Sequence, residues 1–323
     1  IYFWDRTLTD NEIISVYHNF GISKSEFAGK ALMDNTNIPN ANISISSYFK
    51  DKQFQQLIDY PFSFTNCGAT GRIGPTLTQC VSEYSNSLSR INMTTQGIQE
   101  WTVPKSGRYK ISAKGGRGGH GGTVTKAGGL GAIIEGIFNL QGGEIIKILV
   151  GQKGQEYGDG LSMVSSAAGG GGGGTFVLKS PYNSVSSVLI IAGGGGGSNY
   201  HGNNSLNAAQ DINARLPNET GTGGGTKSTE GYQAGGGGGL ITNGLGVTYS
   251  TGSGGKSFVN EGQGGIGGYS SDNTTYRNYG GFGGGGGNGA HSGGGGGGIN
   301  GGRSGHHYNN YKGAEGGASY NTG

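Results

Sequence analysis

Apolar residues in this chain come in short, strand-length bursts separated by polar or glycine-rich stretches. Residues 1–6 (Ile-Tyr-Phe-Trp-Asp-Arg) predict a strand. Thr9-Asp10-Asn11-Glu12 then forms a capping box ahead of Ile13, Ile14 and Tyr17, which share one helical face. Residues 21–60 are polar and mixed, with a strand-like alternation at Ile43 and Ile45, and read as a connecting arm. Residues 97–104 and 106–114 predict a β-hairpin turned at Pro104 and Gly107, with Tyr109, Ile111 and Ala113 facing one way. Residues 132–140 and 144–150, joined at Gly142-Gly143, predict a second hairpin. Thr175-Phe-Val-Leu178 and Val188-Leu-Ile-Ile-Ala192 are two further apolar strands, and residues 317–320 predict a last short one.

Between these bursts stand five uninterrupted glycine runs: Gly169 to Gly174, Gly193 to Gly197, Gly235 to Gly239, Gly283 to Gly287 and Gly293 to Gly298. A flexible linker is the ordinary reading of such runs. Two of them, however, abut the apolar strands at 175–178 and 188–192. Without Cβ atoms, a glycine chain can take the threefold polyproline II helix and let other backbones approach closely. Ordering one isolated run loses more conformational entropy than its hydrogen bonds return. Several runs packed together and bonded on more than one flank can balance that loss, so the pattern predicts a bundle supported by a sheet.

Glycine makes up 76 of the 323 residues and proline only six, which excludes collagen. The net charge of +3 gives no electrostatic footprint for nucleic acid or an anionic membrane. No segment approaches the length of a membrane span. The chain starts at Ile1 with no signal peptide, as a processed or partial chain would.

Candidate chemistry is sparse. Gly116-Arg-Gly-Gly-His-Gly121 fits a dinucleotide fingerprint, but no helix follows to hold a pyrophosphate. Gly255-Lys256-Ser257 lacks the upstream glycine of a phosphate loop, since that position is Ser250. His306-His307 reads as a solvated loop, and Arg117 and Arg303 are too few for Arg-Gly-Gly RNA binding. No acid–base or nucleophile constellation can be named, so no enzyme, metal site or cofactor is expected. Cys67 and Cys80 flank a glycine-punctuated loop. A bridge would close about 14 residues and contribute roughly 3 kcal/mol; the alternative is two free thiols. Candidate glycan acceptors are Asn42, Asn92, Asn203, Asn218 and Asn273, in loop-like surroundings. Nine of the 17 tyrosines lie beyond Gly193, among them Tyr232, Tyr269, Tyr276, Tyr279, Tyr308 and Tyr311, either as contact surface or as cover for the bundle.

Two resemblances complete the reading. Residues 1–20 resemble the closing strand and helix of a concanavalin-like, laminin-G-type domain. Residues 61–320 resemble the extracellular glycine-rich domain of the anaplastic lymphoma kinase and leukocyte tyrosine kinase receptor family. The latter rests on Phe64-Thr65-Asn66-Cys67-Gly68-Ala69, Gly74-Pro75-Thr76, Gln79-Cys80, Gly97-Ile98-Gln99, Trp101 and Val103-Pro104. It continues through Gly136-Ile137-Phe138-Asn139-Leu140, Ile148-Leu149-Val150-Gly151-Gln152, Leu189-Ile190-Ile191-Ala192 and Gly281-Phe282. It implies a mainly β fold, in which a tumour-necrosis-factor-like antiparallel sandwich carries an inserted bundle of polyproline II glycine helices, and it implies a Cys67–Cys80 disulfide. The expected organisation is a laminin-G-like remnant at 1–20, an arm at 21–60 and the glycine-rich domain at 61–323. The expected function is non-enzymatic. It is that of an extracellular or cell-surface structural or adhesive protein that self-associates into a fibre or matrix, with residues 21–60 as a connector and another extracellular protein as a further partner. The alternative is the ligand-binding ectodomain of a cell-surface receptor.

Overall fold

The computed structural model describes residues 62–84, 91–122, 127–156, 159, 167–200, 221–226, 233–246, 252–268, 278–305 and 313–323. The strand and helix expected at 1–17 and the arm at 21–60 lie outside them. The described chain is mainly β, with one α-helix, α1 (Leu77–Tyr84). Its strands are β1 (Ile91–Thr95), β2 (Ile98–Thr102), β3 (Gly107–Lys114), β4 (Ile133–Leu140), β5 (Ile145–Leu149), β6 (Thr175–Leu178), β7 (Val188–Ala192) and β8 (Tyr320–Asn321). They form a six-stranded antiparallel sheet in the order β1-β2-β5-β6-β7-β8 and a two-stranded antiparallel sheet, β3-β4.

Neither predicted hairpin forms. β2 pairs with β5, and β3 pairs with β4 from Gly107↔Leu140 to Lys114↔Ile133. The turns at Pro104 and at Gly142-Gly143 are corners that carry the chain from one sheet to the other. They lie side by side: the Val103 amide donates to the Glu144 carbonyl, and the Gly143 amide donates to the Val103 carbonyl. Alternation fixes which face of a strand is apolar, and it holds here, since Tyr109 and Ala113 are buried and Ile111 packs beside them. It does not name the strand's partner.

The two sheets enclose one core. Trp101, Ile146, Ile148, Val177 and Ile190 of the large sheet meet Tyr109, Ala113, Ile134, Phe138 and Leu140 of the small one. The opposite face of the large sheet buries Ile98, Leu149, Phe176, Leu178 and Ile191 against Leu240, Phe258, Phe282 and Ile299, which come from the glycine-rich loops. Both faces of β6 and β7 are therefore covered, which explains why their sequences are apolar throughout rather than alternating.

The glycine runs are ordered against this second face. In the run 169–174 the amides of Gly169 and Gly172 donate to Ser198 and Gly195. Those of Gly170 and Gly173 donate to Gln155 and Gln152, and those of Gly171 and Gly174 to Gly286 and Gly283. The partner segment changes at every residue and returns at every third, which is the period of a polyproline II helix.

Candidate functional site

The same threefold rotation links the other runs into one bundle. Gly194 and Gly197 donate to Gly297 and Gly294, Gly235 and Gly238 to Gly287 and Gly284, and Gly295 and Gly298 to Gly235 and Gly238. Gly293 donates to the side-chain oxygen of Asn199, Gly193 to that of Ser319, and Gly239 to the Thr242 carbonyl. These runs are buried and bring no side-chain chemistry. They supply a rigid base.

On that base sits the disulfide loop. Cys67 and Cys80 are bonded, with Cα atoms 4.9 Å apart. The loop ends in α1, an element that the glycine-punctuated reading of residues 67–80 missed. Its signal is present: the Gln79 side chain accepts from the Thr76 amide at 2.8 Å while Thr76 Oγ1 accepts from the Gln79 amide at 3.3 Å, a capping box. The helix buries Cys80 and Tyr84. The Tyr84 hydroxyl donates to Gln99 Oε1 at 2.7 Å, and Gln99 Nε2 donates to the Thr65 carbonyl at 2.8 Å. With its inner face spent in this way, α1 leaves Leu77 and Val81 in solvent one turn apart, 37% and 56% exposed. Ile73, four residues earlier, is 46% exposed.

The loop is fastened to the bundle through Phe282, which the sequence marked only as a point of resemblance. The Phe282 amide donates to the Gly71 carbonyl at 2.7 Å, and its carbonyl accepts from Gln152 at 2.8 Å. Its ring lies against Gly74 and Gly97. Arg72 Nε donates to the Gly264 carbonyl at 3.1 Å, and the Gly264 amide donates back to Arg72. Between these pieces lies a polar cavity of about 230 Å³ lined by Ile73, Thr94, Gln96, Glu261 and Phe282. The arrangement is a small apolar face on a braced, disulfide-closed loop.

The remaining sequence candidates fall as follows. The amides of Gly116, Gly118 and Gly119 donate to Gly173, Gly129 and Gly170, so the glycine amides of the dinucleotide-like segment are spent within the bundle. The amides of Gly255, Lys256 and Ser257 are likewise committed, to Gly236, Gln263 and the Asn243 side chain. Arg303 is exposed and Arg117 is half-buried. No three His, Cys, Asp or Glu side chains come together for a metal among the described residues. Glu156 meets His120 Nε2 at 3.4 Å, pairs with Lys153, and accepts from the His120 amide at 3.3 Å. Asn92 stands exposed on β1, a strand rather than the loop expected of it. Asn42, Asn203, Asn218 and Asn273, His306-His307, and Tyr232, Tyr269, Tyr276, Tyr308 and Tyr311 lie outside the described residues. Tyr279 is half-buried beside the bundle, where its carbonyl accepts from Gln155.

Comparison with known proteins shows a likeness to a receptor. A stretch of 100 residues, 30% of this chain, is 41% identical to the leukocyte tyrosine kinase receptor of Mus musculus. The chain is related to that receptor over this stretch. It spans 11% of the receptor's length, and no family model matches it. No helix among the described residues is long and apolar enough to cross a membrane.

Proposed function

We propose that this chain is a non-enzymatic extracellular binding module, and that the disulfide-closed loop presents Ile73, Leu77 and Val81 to a protein ligand. The observation that carries the reading is the 41% identity to a receptor. It favours a ligand-binding ectodomain over the self-associating fibre that composition and the polar arm had put first. In this reading the two packed sheets are the tumour-necrosis-factor-like sandwich of the resemblance. Residues 1–20 are a laminin-G-like remnant and residues 21–60 are a linker.

A rigid glycine bundle fits this role because a binding face whose backbone is fixed in advance loses little entropy on association. The exposed apolar side chains supply contact area that is not used in folding. Two measurements test the proposal. In sedimentation of the full chain over a wide concentration range, a constant monomer mass supports the module, and extended, concentration-dependent particles return the fibre. In a binding screen against displayed secreted proteins, specific ligands should be lost by Leu77→Glu and Val81→Glu while the far-ultraviolet spectrum stays unchanged. Ligands that bind both variants as well as the parent would remove this face from the proposal.

A further inference from the structure

β1 is the outermost strand of the six-stranded sheet, and no strand among the described residues pairs with its far side. An open edge of this kind recruits foreign strands unless something blocks it. Ile91 and Met93 turn toward the disulfide and Tyr84. Asn92 and Thr94 turn to the other face and are exposed. Both reach one carboxylate: Asn92 Nδ2 donates to Glu100 Oε2 at 3.0 Å, and Thr94 Oγ1 donates to Glu100 Oε1 at 2.5 Å. Glu100 is only 9% exposed and meets Lys147 at 3.4 Å from its other side.

We propose that Asn92 carries an N-linked glycan and that this glycan caps the open β1 edge. The sequon Asn92-Met93-Thr94 is held with its amide and hydroxyl on one strand face, away from the helix. The Asn92 amide has two N–H groups, and Glu100 engages one. Glycosylation uses the other. The sugar C1–O bond of a polyprenyl-diphosphate-linked oligosaccharide breaks, a C1–Nδ2 bond forms, one amide proton leaves to a base, and the lipid diphosphate departs. The remaining N–H keeps its bond to Glu100, so the modified side chain stays clasped to the sheet face and the glycan rises from that face beside the open edge. A bulky hydrated chain at that place excludes a second copy's strand, including the strand-like Ile43–Ile45 patch.

The inference rests on the extracellular reading, and the experiment separates the two. The full chain is secreted from eukaryotic cells and treated with peptide N-glycosidase in heavy-oxygen water, which converts glycosylated Asn92 to a heavy-labelled aspartate. Heavy label at position 92, absent from Asn92→Gln, is the expected result. An intact Cys67–Cys80 bridge with unmodified Asn92 overturns this proposal alone. Free thiols at both cysteines in material from the native source overturn the extracellular reading itself. Light scattering before and after deglycosylation of the folded protein tests the capping. A mass that rises with concentration only after the glycan is removed supports it, and an unchanged mass refutes it. Because deglycosylation acts on folded protein, the capping test holds even if Asn92→Gln is not secreted.

Discussion

The Phe282 ring occupies the space where Gly97 would carry a side chain: a Cβ at Gly97 would lie 2.3 Å from Phe282 Cζ. Gly97 also turns β1 into β2 with φ at +84°, in the left-handed region. One contact thus joins the edge hairpin of the sheet to the start of a glycine run. Gly97→Ala should lose stability twice, by about 1–2 kcal/mol for the backbone conformation and by about 1–3 kcal/mol for the overpacked ring. Urea unfolding gives the sum, and a midpoint within error of the parent would deny the contact. Adding Phe282→Leu should recover part of the loss in a double-mutant cycle, because the smaller side chain makes room.

Inside the bundle a methyl group has nowhere to go. A Cβ at Gly295 would sit 2.0 Å from the Gly302 carbonyl oxygen and 2.8 Å from the Gly237 nitrogen. Both are backbone atoms that no rotamer change can move. Gly295→Val should therefore lower the thermal midpoint sharply or prevent secretion. Gly225 is the control, since a Cβ there meets nothing within 4 Å. Gly225→Ala should stay within about 0.5 kcal/mol of the parent. Equal tolerance at both positions would return the runs to linkers.

All six amides of the run 169–174 donate to backbone carbonyls at 2.8–2.9 Å. Hydrogen exchange should protect them as strongly as the amides of β6 and β7, and the six should exchange as one unit because neighbouring segments hold them in turn. Exchange at the rate of an unstructured glycine peptide would be incompatible with the bundle.

Glu156 ties His120 to Lys153. Burial pushes its pKa up, but the Lys153 hydrogen bond, the His120 amide and the charges of both residues outweigh burial and hold it below 4.5. A carboxyl depressed in the folded state adds stability that is complete above its unfolded value and is lost as pH falls through the folded one. The denaturation midpoint should therefore fall more steeply on the acid side of pH 4.5 for the parent than for Glu156→Gln. Parallel pH profiles would show that the contact contributes nothing.

The sequence made some of this legible. The apolar bursts at 175–178 and 188–192 are β6 and β7 with the same bounds, because continuous burial writes a continuous apolar run. Two of the glycine runs adjoin those strands in sequence, and the amides of the runs bond to neighbouring segments. The pairing of β2 and β3 was illegible, since alternation looks the same whether a turn closes a hairpin or crosses between sheets. α1 was hidden because Gly71, Gly74 and Pro75 suggested a loop, while the Thr76–Gln79 capping box that starts the helix is only four residues long. The exposed faces of Leu77 and Val81 could be recognised only once the helix had fixed which side Cys80 occupies.

The threefold rotation of partners around run 169–174 restricts how such a chain can change in length. Removing one glycine turns everything beyond it by a third of a revolution, and each later amide then faces the wrong neighbour. Removing three restores every facing and shortens the rod by about 9 Å. Insertions and deletions within these runs should accordingly persist in multiples of three, a phase rule set by backbone geometry alone.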